Sequence, residues 1–425
     1  MEYWYKFFTY LFYPIASIYL FIRKIKKKEH KFRYKEKLSK INVSRGEGFL
    51  IWYHVASVGE AMSILPLIEK FEKDEKINRI LITSITLSSA QILEKKYKQN
   101  KKIIHQFLPL DVPVYVKKFL NHWSPNLSIF IDSEIWPNLI SEIKEKNIPL
   151  LLVNARITKK TFLRWKLFKQ FSQKLFQSFD LCIVADKETE KHLNILGAKN
   201  IKSYGNLKFS GIKTVSEKKL KPVILNKIEN RKIWCAASTH PSEEIFCAKT
   251  HLVLKNIYKN VLTVIIPRHI ERSKKIRDEL SKLKLKVVLY SEFNLIDPQT
   301  DILIVDAYGE AIKFYNLSKC VFLGKSLIKS MASDSGQNPI EPSRLGCKIL
   351  HGPFVSNFTE VYEYLASLGV TNKILTPEEL SKSITKIMEN NNKKDDQIIQ
   401  KIENYGLTTL NNVFNEIKIY IDRKA

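Results

Sequence analysis

Cysteine is scarce: five residues in 425, Cys182, Cys235, Cys247, Cys320 and Cys347, scattered and forming no Cys-x-x-Cys pair. That distribution excludes a disulfide framework and a thiolate zinc site, and it suits a reducing compartment. No unit recurs at a period of about 20–50 residues, which excludes a solenoid. There is no long glycine-rich loop. Acidic residues are also few: 43 Asp and Glu stand against 70 Lys and Arg, for a formal charge of +27. Such an excess calls for a polyanionic neighbour: nucleic acid, anionic lipid or a phosphorylated substrate. An A+T-rich genome that writes Lys at surface positions accounts for the same count. The lysines are spread out, and neither an aromatic stacking platform nor a recognition motif accompanies them, which argues against nucleic acid.

What is present begins with size. The chain is too long for one ordinary core and fits two domains, and its 44% hydrophobic content is that of a globular protein. Residues 3–22 are dominated by apolar and aromatic side chains, with Lys6 the one charge and Pro14 the one break. About 20 such residues can cross a hydrocarbon core of ~30 Å. The aromatics (Tyr3, Trp4, Tyr5, Phe7, Phe8 and others) equally suit a helix lying in the interface. Arg23, Lys24, Lys26, Lys27, Lys28 and Lys31 follow and mark the cytoplasmic side. A cleaved signal peptide would carry its basic cluster first and a small-residue site after. The expectation is an anchor holding the rest at the inner leaflet.

From residue 49 onward, apolar runs alternate with charged helical stretches, the pattern of a parallel sheet wrapped in helices. Strands are expected at 49–55, 80–83, 127–131, 150–153 and 181–184, then a further short extended run before Gly205. A Lys-rich stretch, 213–231, reads as a linker. The alternation restarts at 233–237 and continues at 261–266, 286–289, 302–305, 320–323 and 348–350. Residues 390–396 read as a polar surface loop, and 396–423 as a helix able to pack back across both domains. The fold class expected is α/β, two doubly wound domains facing across a cleft, with ligands at the carboxyl ends of the strands. Ser57, Glu60, Asp132, Glu134, Ser238 and Arg268 all follow expected strands.

Two segments carry most of the chemistry: His54-Val55-Ala56-Ser57-Val58-Gly59-Glu60, and Ser335-Gly336-Gln337-Asn338-Pro339-Ile340-Glu341-Pro342. The first offers a carboxylate at a helix start; the second offers small residues, an amide and a carboxylate. Between and beside them stand Pro109-Leu110-Asp111, Ser133-Glu134-Ile135-Trp136-Pro137-Asn138-Leu139, Asn154-Ala155-Arg156 and Gly205-Asn206-Leu207-Lys208-Phe209. Ala237-Ser238-Thr239-His240-Pro241 with Glu243-Glu244, Pro267-Arg268-His269 with Glu271-Arg272, and Gly352-Pro353 complete the set. In this order the chain closely resembles the 3-deoxy-D-manno-octulosonic acid (Kdo) transferases of Gram-negative bacteria, from the apolar amino terminus to about residue 358.

The resemblance implies a two-domain GT-B glycosyltransferase fold of Rossmann-like domains behind a membrane-associated N-terminal helix. It implies a reaction too: Kdo moves from CMP-Kdo to the lipid A precursor (lipid IVA), by direct displacement with inversion. The division expected is 1–45 anchor and basic segment, 46–212 acceptor domain with the base, and 213–425 CMP-Kdo-binding domain with the final helix packing back. The implied partners are CMP-Kdo, the lipid A precursor and anionic inner-membrane phospholipid, with no nucleic acid, no metal and no other cofactor. The implied location is the cytoplasmic face of the inner membrane. Departures are Gln337 where the family usually has His, Gly324-Lys325-Ser326 for Gly-Gly-Ser, and Ile85-Thr86-Leu87-Ser88 for a Thr-rich turn.

Glu60 is the candidate base, against the plainer reading that it complements a helix dipole. The resemblance assigns Glu134 and Lys208 to transition-state stabilisation; Glu134 could instead pair with Arg156. CMP has a single phosphate, so helix starts at Ser238-Thr239-His240-Pro241 and at Asn338-Pro339 could hold it, with Pro241 in the first helical turn and Asn338 as N-cap. Arg268 suits an anionic oxygen pair unless it pairs with Glu271. His269, Gly309, Glu310 and Ala311 would border the nucleotide, Ser335, Gly336 and Gln337 would form its cradle, and Glu341 would accept from the ribose hydroxyls. His54 and His240 find no third ligand at metal spacing, and Trp52 and Trp136 read as packing residues. Two rivals stand beside this: another GT-B transferase using a uridine nucleotide, and a non-catalytic basic protein binding membrane or nucleic acid.

Overall fold

The computed structural model describes residues 2–211, 219–390 and 396–424. Contacts divide the chain into a first unit, Met1–Ile212 with Tyr405–Ala425, and a second, Lys213–Asn404. The last 21 residues therefore belong with the first unit rather than with the domain expected at 213–425. Their apolar stripe explains this, since Leu410, Val413, Ile417 and Ile421 recur at helical spacing and are buried in the first unit's core. Residues 213–218 of the expected linker and 391–395 of the expected polar loop lie outside the described residues. The rest of that linker includes a helix, Pro222–Ile228, with proline in its first turn.

The first unit holds seven parallel strands: β1 (Leu50–Val55), β2 (Arg79–Ser84), β3 (Ile103–Phe107), β4 (Leu127–Ile131), β5 (Leu150–Ala155), β6 (Leu181–Val184) and β7 (Ile201–Ser203). Their order is β3-β2-β1-β4-β5-β6-β7, so the winding reverses between β1 and β4. Both faces are buried, which is why the strands read as continuous apolar runs. Ile51, Tyr53 and Val55 face one core with Ile64, Ile68 and Phe71, while Leu50 and Trp52 face another with Phe119, Leu139 and Phe176. Strand β3 escapes the sequence reading because His105 and Gln106 interrupt its apolar run.

Two helices precede this sheet, Glu2–Leu11 and Tyr13–Ile25, bent by 61° at the junction. Among the described residues no single helix is long and apolar enough to cross a membrane, although this bent pair meets the length and composition together. Ala16 and Leu20 are buried against Leu38, Val112 and Tyr115. The Tyr5 hydroxyl donates to Asp111 Oδ2 at 2.9 Å, and Asn138 Nδ2 donates to Thr9 Oγ1 at 2.8 Å. The remaining face exposes Tyr3 (87%), Trp4, Phe8, Ile18 and Phe21.

The second unit repeats the plan with β8 (Lys232–Thr239), β9 (Val261–Pro267), β10 (Val287–Leu289), β11 (Ile302–Ile304), β12 (Cys320–Leu323), β13 (Lys348–His351) and β14 (Thr371–Lys373). The order β10-β11-β9-β8-β12-β13-β14 is again all parallel and again reverses beside its first strand, between β8 and β12. Strand β14, Thr-Asn-Lys, is a polar edge with no apolar signature. All five cysteines are buried, and none is in a disulfide among the described residues. Burial pushes the Cys182 thiol up to about 12 and raises Cys247 and Cys320 as well.

Candidate active site

In the first unit the polar residues gather where the strands end. Ser57 caps the helix Val58–Glu72: its Oγ accepts from the Glu60 N–H at 3.3 Å and donates to Glu60 Oε1 at 2.7 Å. The Ala56 N–H donates to Glu60 Oε2 at 2.7 Å. This is a capping box, Ser and Glu three residues apart, and it fixes the carboxylate in one orientation. Burial raises the Glu60 pKa, the Ala56 and Ser57 bonds offset part of that, and the nearby Asp132 and Glu134 charges push it further up. Dipole complementation and a carboxyl group held above the usual carboxylate range thus coexist in one residue.

Just past β4, Asp132 (φ 61°), and at the irregular end of β5, Asn154 (φ 54°), both adopt the left-handed region. Asp and Asn tolerate it better than most side chains do. Asn154 Oδ1 accepts from the Leu207 N–H at 2.8 Å, and Asn206 Oδ1 accepts from the Lys208 N–H at 2.9 Å. These bonds seat the turn that brings Lys208 Nζ to 3.2 Å from Asp132 Oδ2. Gly406 of the final helix lies so close to that turn that a Cβ there would strike the Phe209 carbonyl. Sequence reasoning placed Asp132 and Asn154 after expected strands but gave neither a role; Asp132 stands one residue past β4, and Asn154 falls inside β5.

Glu134 takes its hydrogen bonds from His54 and Trp136, not in the Arg156 pairing considered from sequence. His54 Nε2 lies 3.1 Å and Trp136 Nε1 2.8 Å from the same oxygen, Oε2. Behind His54, Nδ1 lies 2.9 Å from Thr83 Oγ1, which accepts from Trp52 Nε1 at 2.9 Å. Trp52 and Trp136 are therefore hydrogen-bond donors at the two ends of a polar chain rather than packing alone. Asp111 accepts from the Asn138 and Leu139 N–H groups at 3.1 and 2.9 Å, capping the helix Pro137–Glu145 from a distance in sequence. Desolvation lifts the Asp111 pKa to about 6 despite those donors.

The second unit corrects two expectations about helix starts. Strand β8 runs through to Thr239, and the helix Glu243–Ile257 begins only after Ser242 (φ 79°), so Pro241 lies in the connecting turn. The N–H groups expected to be free are already engaged. Glu243, 1% exposed, accepts from His240 and Lys325 at 2.9 and 2.7 Å on Oε2, and from Ser326 and Leu327 at 3.0 and 3.1 Å on Oε1. One buried carboxylate thus fills an amide nest of the kind that otherwise holds anions. A Cβ at Gly324 would stand 2.5 Å from the Ser238 carbonyl and 2.7 Å from Glu243 Oε2, so glycine is required there. Ser238 (φ 55°) and Lys325 (φ 56°) are left-handed, and Lys325 Nζ lies 3.1 Å from Asp334.

Several expected donor-binding residues remain open, and others are committed. Arg268 follows β9 and is exposed; among the described residues its guanidinium forms no hydrogen bond or ion pair. Glu271 lies instead 3.4 Å from His269 Nδ1, and Arg272 grips the buried Glu244 with two bonds at 2.9 and 3.3 Å. The His269 and His240 rings meet edge to face at 5.9 Å, and burial lowers the His240 pKa. Thr239 Oγ1 is buried with no hydrogen-bond partner among the described residues. Gly309 is exposed at φ 79°, and Ala311 opens the helix Ala311–Leu317. The Glu310 carboxylate accepts from Tyr290 at 2.8 Å and Lys313 at 2.7 Å.

In the last segment Ser335 is buried, and its hydroxyl donates to the Ala332 carbonyl at 2.9 Å beside Ser356. It fastens the loop rather than presenting a hydroxyl. The Gly336 N–H (φ 81°) donates to the Lys325 carbonyl at 2.7 Å, and a Cβ there would lie 2.8 Å from Val355 Cα. The Gln337 carbonyl accepts from Tyr362 at 3.0 Å. Asn338 Oδ1 accepts from the Ile340 N–H at 3.1 Å, but the N-cap of the helix Ile340–Arg344 is Pro339, one residue later than expected. Glu341 is exposed in its first turn. His54 and His240 are held by protein oxygens, and among the described residues no three His, Cys, Asp or Glu side chains gather as a metal ion would require.

Comparison with known proteins now has a geometry to meet. The backbone is similar to UDP-GlcNAc 2-epimerase from Neisseria meningitidis, with a TM-score of 0.58 at 13% identity over 87% of this chain and all of that one. It is likewise similar to a glycosyltransferase from Rickettsia africae, with a TM-score of 0.54 at 12% identity over 89% of this chain and 99% of that one. At such identities the likeness is one of fold. Two doubly wound parallel sheets of this order define a GT-B glycosyltransferase architecture.

The family described as 3-Deoxy-D-manno-octulosonic-acid transferase (kdotransferase) matches residues 28–211. The 3-deoxy-D-manno-octulosonic acid transferase of Rickettsia bellii is 34% identical over 418 residues, 98% of this chain and 96% of that one. That of Haemophilus influenzae is 29% identical over 350 residues, covering 81% and 80%. The chain belongs to the Kdo transferase family, and it is a glycosyltransferase. The reading as a non-catalytic basic module falls with that assignment.

Proposed function

We propose that this enzyme transfers Kdo from CMP-Kdo to the lipid A precursor, lipid IVA, by a single displacement that inverts the anomeric carbon. The observation that carries the reading is Glu60: a carboxylate fixed by a capping box, raised by burial, and flanked by Asp132, Glu134 and Lys208. As base it takes the proton of the acceptor hydroxyl. The acceptor oxygen bonds to the anomeric carbon, and the bond from that carbon to the CMP phosphate oxygen breaks. Glu134 and Lys208 balance charge as the sugar passes through the transition state.

The second unit takes the donor. Arg268, exposed and uncommitted, pairs with the phosphate; Thr239 and His240 stand beside it; Glu341 meets the ribose; Gly309 and the backbone of Gly336 and Gln337 leave room for the nucleotide. Residues Glu243, Glu310 and Ser335 shape these loops through the bonds described above. No metal takes part in this scheme.

We place the enzyme on the cytoplasmic face of the inner membrane, with the N-terminal helix pair lying in the interface. Support comes from the burial of Ala16 and Leu20 on the protein while the opposite, aromatic face stays exposed. A second exposed apolar corner, Leu163, Leu167 and Phe168, stands among Lys159, Lys160, Arg164, Lys166 and Lys169. Anionic phospholipid would contribute about 1 kcal/mol for each well-placed Lys or Arg. Incubation of the purified protein with CMP-Kdo and lipid IVA in vesicles tests the whole reading. Free CMP and a lipid heavier by Kdo in the mass spectrum are expected; neither product appearing overturns it, and inhibition by UDP but not CMP would point to a uridine donor.

A further inference from the structure

The mechanism above uses Glu134 but leaves unexplained why a fully buried histidine stands behind it. Bond directions in that network follow from elimination. Trp52 Nε1 can only donate, so Thr83 Oγ1 accepts from it. Behind the ring, His54 Nδ1 lies 2.9 Å from Thr83 Oγ1 and 3.3 Å from the Thr83 carbonyl, which hold the imidazole in place. The direction at the front is set by Glu134: Nε2 lies 3.1 Å from a carboxylate oxygen that only accepts, so Nε2 carries a ring proton and donates it to Oε2. Trp136 Nε1, again a donor only, reaches the same oxygen at 2.8 Å.

Both hydrogen bonds at Oε2 therefore run toward Glu134. A carboxyl proton placed on Oε2 would meet two N–H groups head-on, so the arrangement suits a carboxylate. The other oxygen, Oε1, has no hydrogen bond among the described residues, and the Glu134 side chain keeps 13% of its surface exposed. His54 itself is 0% exposed and packs edge-on against Phe130 at 5.4 Å, out of reach of any ligand.

We propose that His54 is a positioning residue for Kdo transfer: its Nε2–H, on a ring braced from behind by Thr83, orients Glu134 so that Oε1 faces the reacting sugar. This rests on the role given to Glu134 above. A buried ring locked by hydrogen bonds on both nitrogens is a precise way to hold a neighbouring carboxylate.

The test is a set of variants assayed with CMP-Kdo and lipid IVA, recording kcat, KM and Tm separately. His54→Phe keeps a ring in the core but loses the donor; we expect kcat to fall about ten- to a hundredfold with KM nearly unchanged. His54→Gln keeps a side-chain N–H near the place of Nε2 and is expected to recover most of that loss at a Tm no higher than that of His54→Phe. Trp136→Phe, at a half-buried site, removes the second donor and should give a smaller fall. Adding His54→Phe to Glu134→Gln should cost little beyond Glu134→Gln alone, because both act through one carboxylate. Equal losses in the Phe and Gln variants that track Tm, or losses that add in the double variant, would overturn the proposal. Full activity of Glu134→Gln alone would overturn the role of Glu134, and with it this one; a slow Glu134→Gln beside a normal His54→Phe would overturn only this one.

Discussion

The two units share a sheet plan and differ in what they place at the strand ends. In the first, carboxylates are the guests: Glu60, Asp132 and Glu134 are held by N–H and ammonium donors. In the second, the backbone amides are the guests, and a carboxylate, Glu243, is the host buried to hold them. The first unit thus gathers three carboxylates at its strand ends, while the second ties loop amides to one buried carboxylate and leaves Arg268 exposed just past β9. The shared sheet plan says little about this difference; the groups placed at the strand ends make it.

The sharpest way to break this contrast is Glu60→Gln. Glutamine can stay in the capping box, so Tm should hold within about 2 °C, while kcat should fall by about 10²–10⁴-fold. A normal turnover would make Glu60 a cap and nothing more. Next in size is Glu243→Ala, which strands four buried N–H groups in the second unit. It should lower that unit's stability by about 3 kcal/mol or more, read from the urea midpoint, while leaving the first unit's transition in place. Arg268→Ala should raise the KM for CMP-Kdo about tenfold or more without moving Tm, since the guanidinium makes no hydrogen bond or ion pair among the described residues.

The smallest expected effect is a pH shift. Glu60 works only when deprotonated, and its pKa is raised, so activity is lost as pH falls through a value above the ordinary glutamate range. Asp132→Asn removes one of the like charges that raise it, so the acidic limb of the kcat profile should move to lower pH. A limb that moves upward, or stays fixed, would mean that Asp132 does not face Glu60 in solution.

Much of this was legible in the residues, and the misses have one physical origin. Strands buried on both faces announce themselves as apolar runs, so β1, β4, β6, β8 and β12 were readable; β3 and β14 carry polar residues and were not. Glu60 was readable as a carboxylate at a helix start after an apolar run and through the family resemblance; its bonds to Ser57 and Ala56 came only with the structure. The His240 amide was misjudged as free because the helix begins only at Glu243, whose carboxylate takes that amide together with those of Lys325, Ser326 and Leu327 from a loop distant in sequence. Trp52 and Trp136 looked like packing because indole nitrogens show their use only once Thr83 and Glu134 are in place. Local bonds can be inferred from spacing, and bonds between distant strands cannot.

The burial of every cysteine has a practical corollary. Thiols raised this far and shut from solvent react slowly with maleimides and iodoacetamide. A single cysteine placed on the exposed aromatic helix at Tyr3, or at Leu167, would thus be the one fast-reacting site in an otherwise native chain. A polarity-sensitive dye attached at either position would report directly on the depth of each contact in a lipid vesicle, with no need to strip the natural sulfurs first.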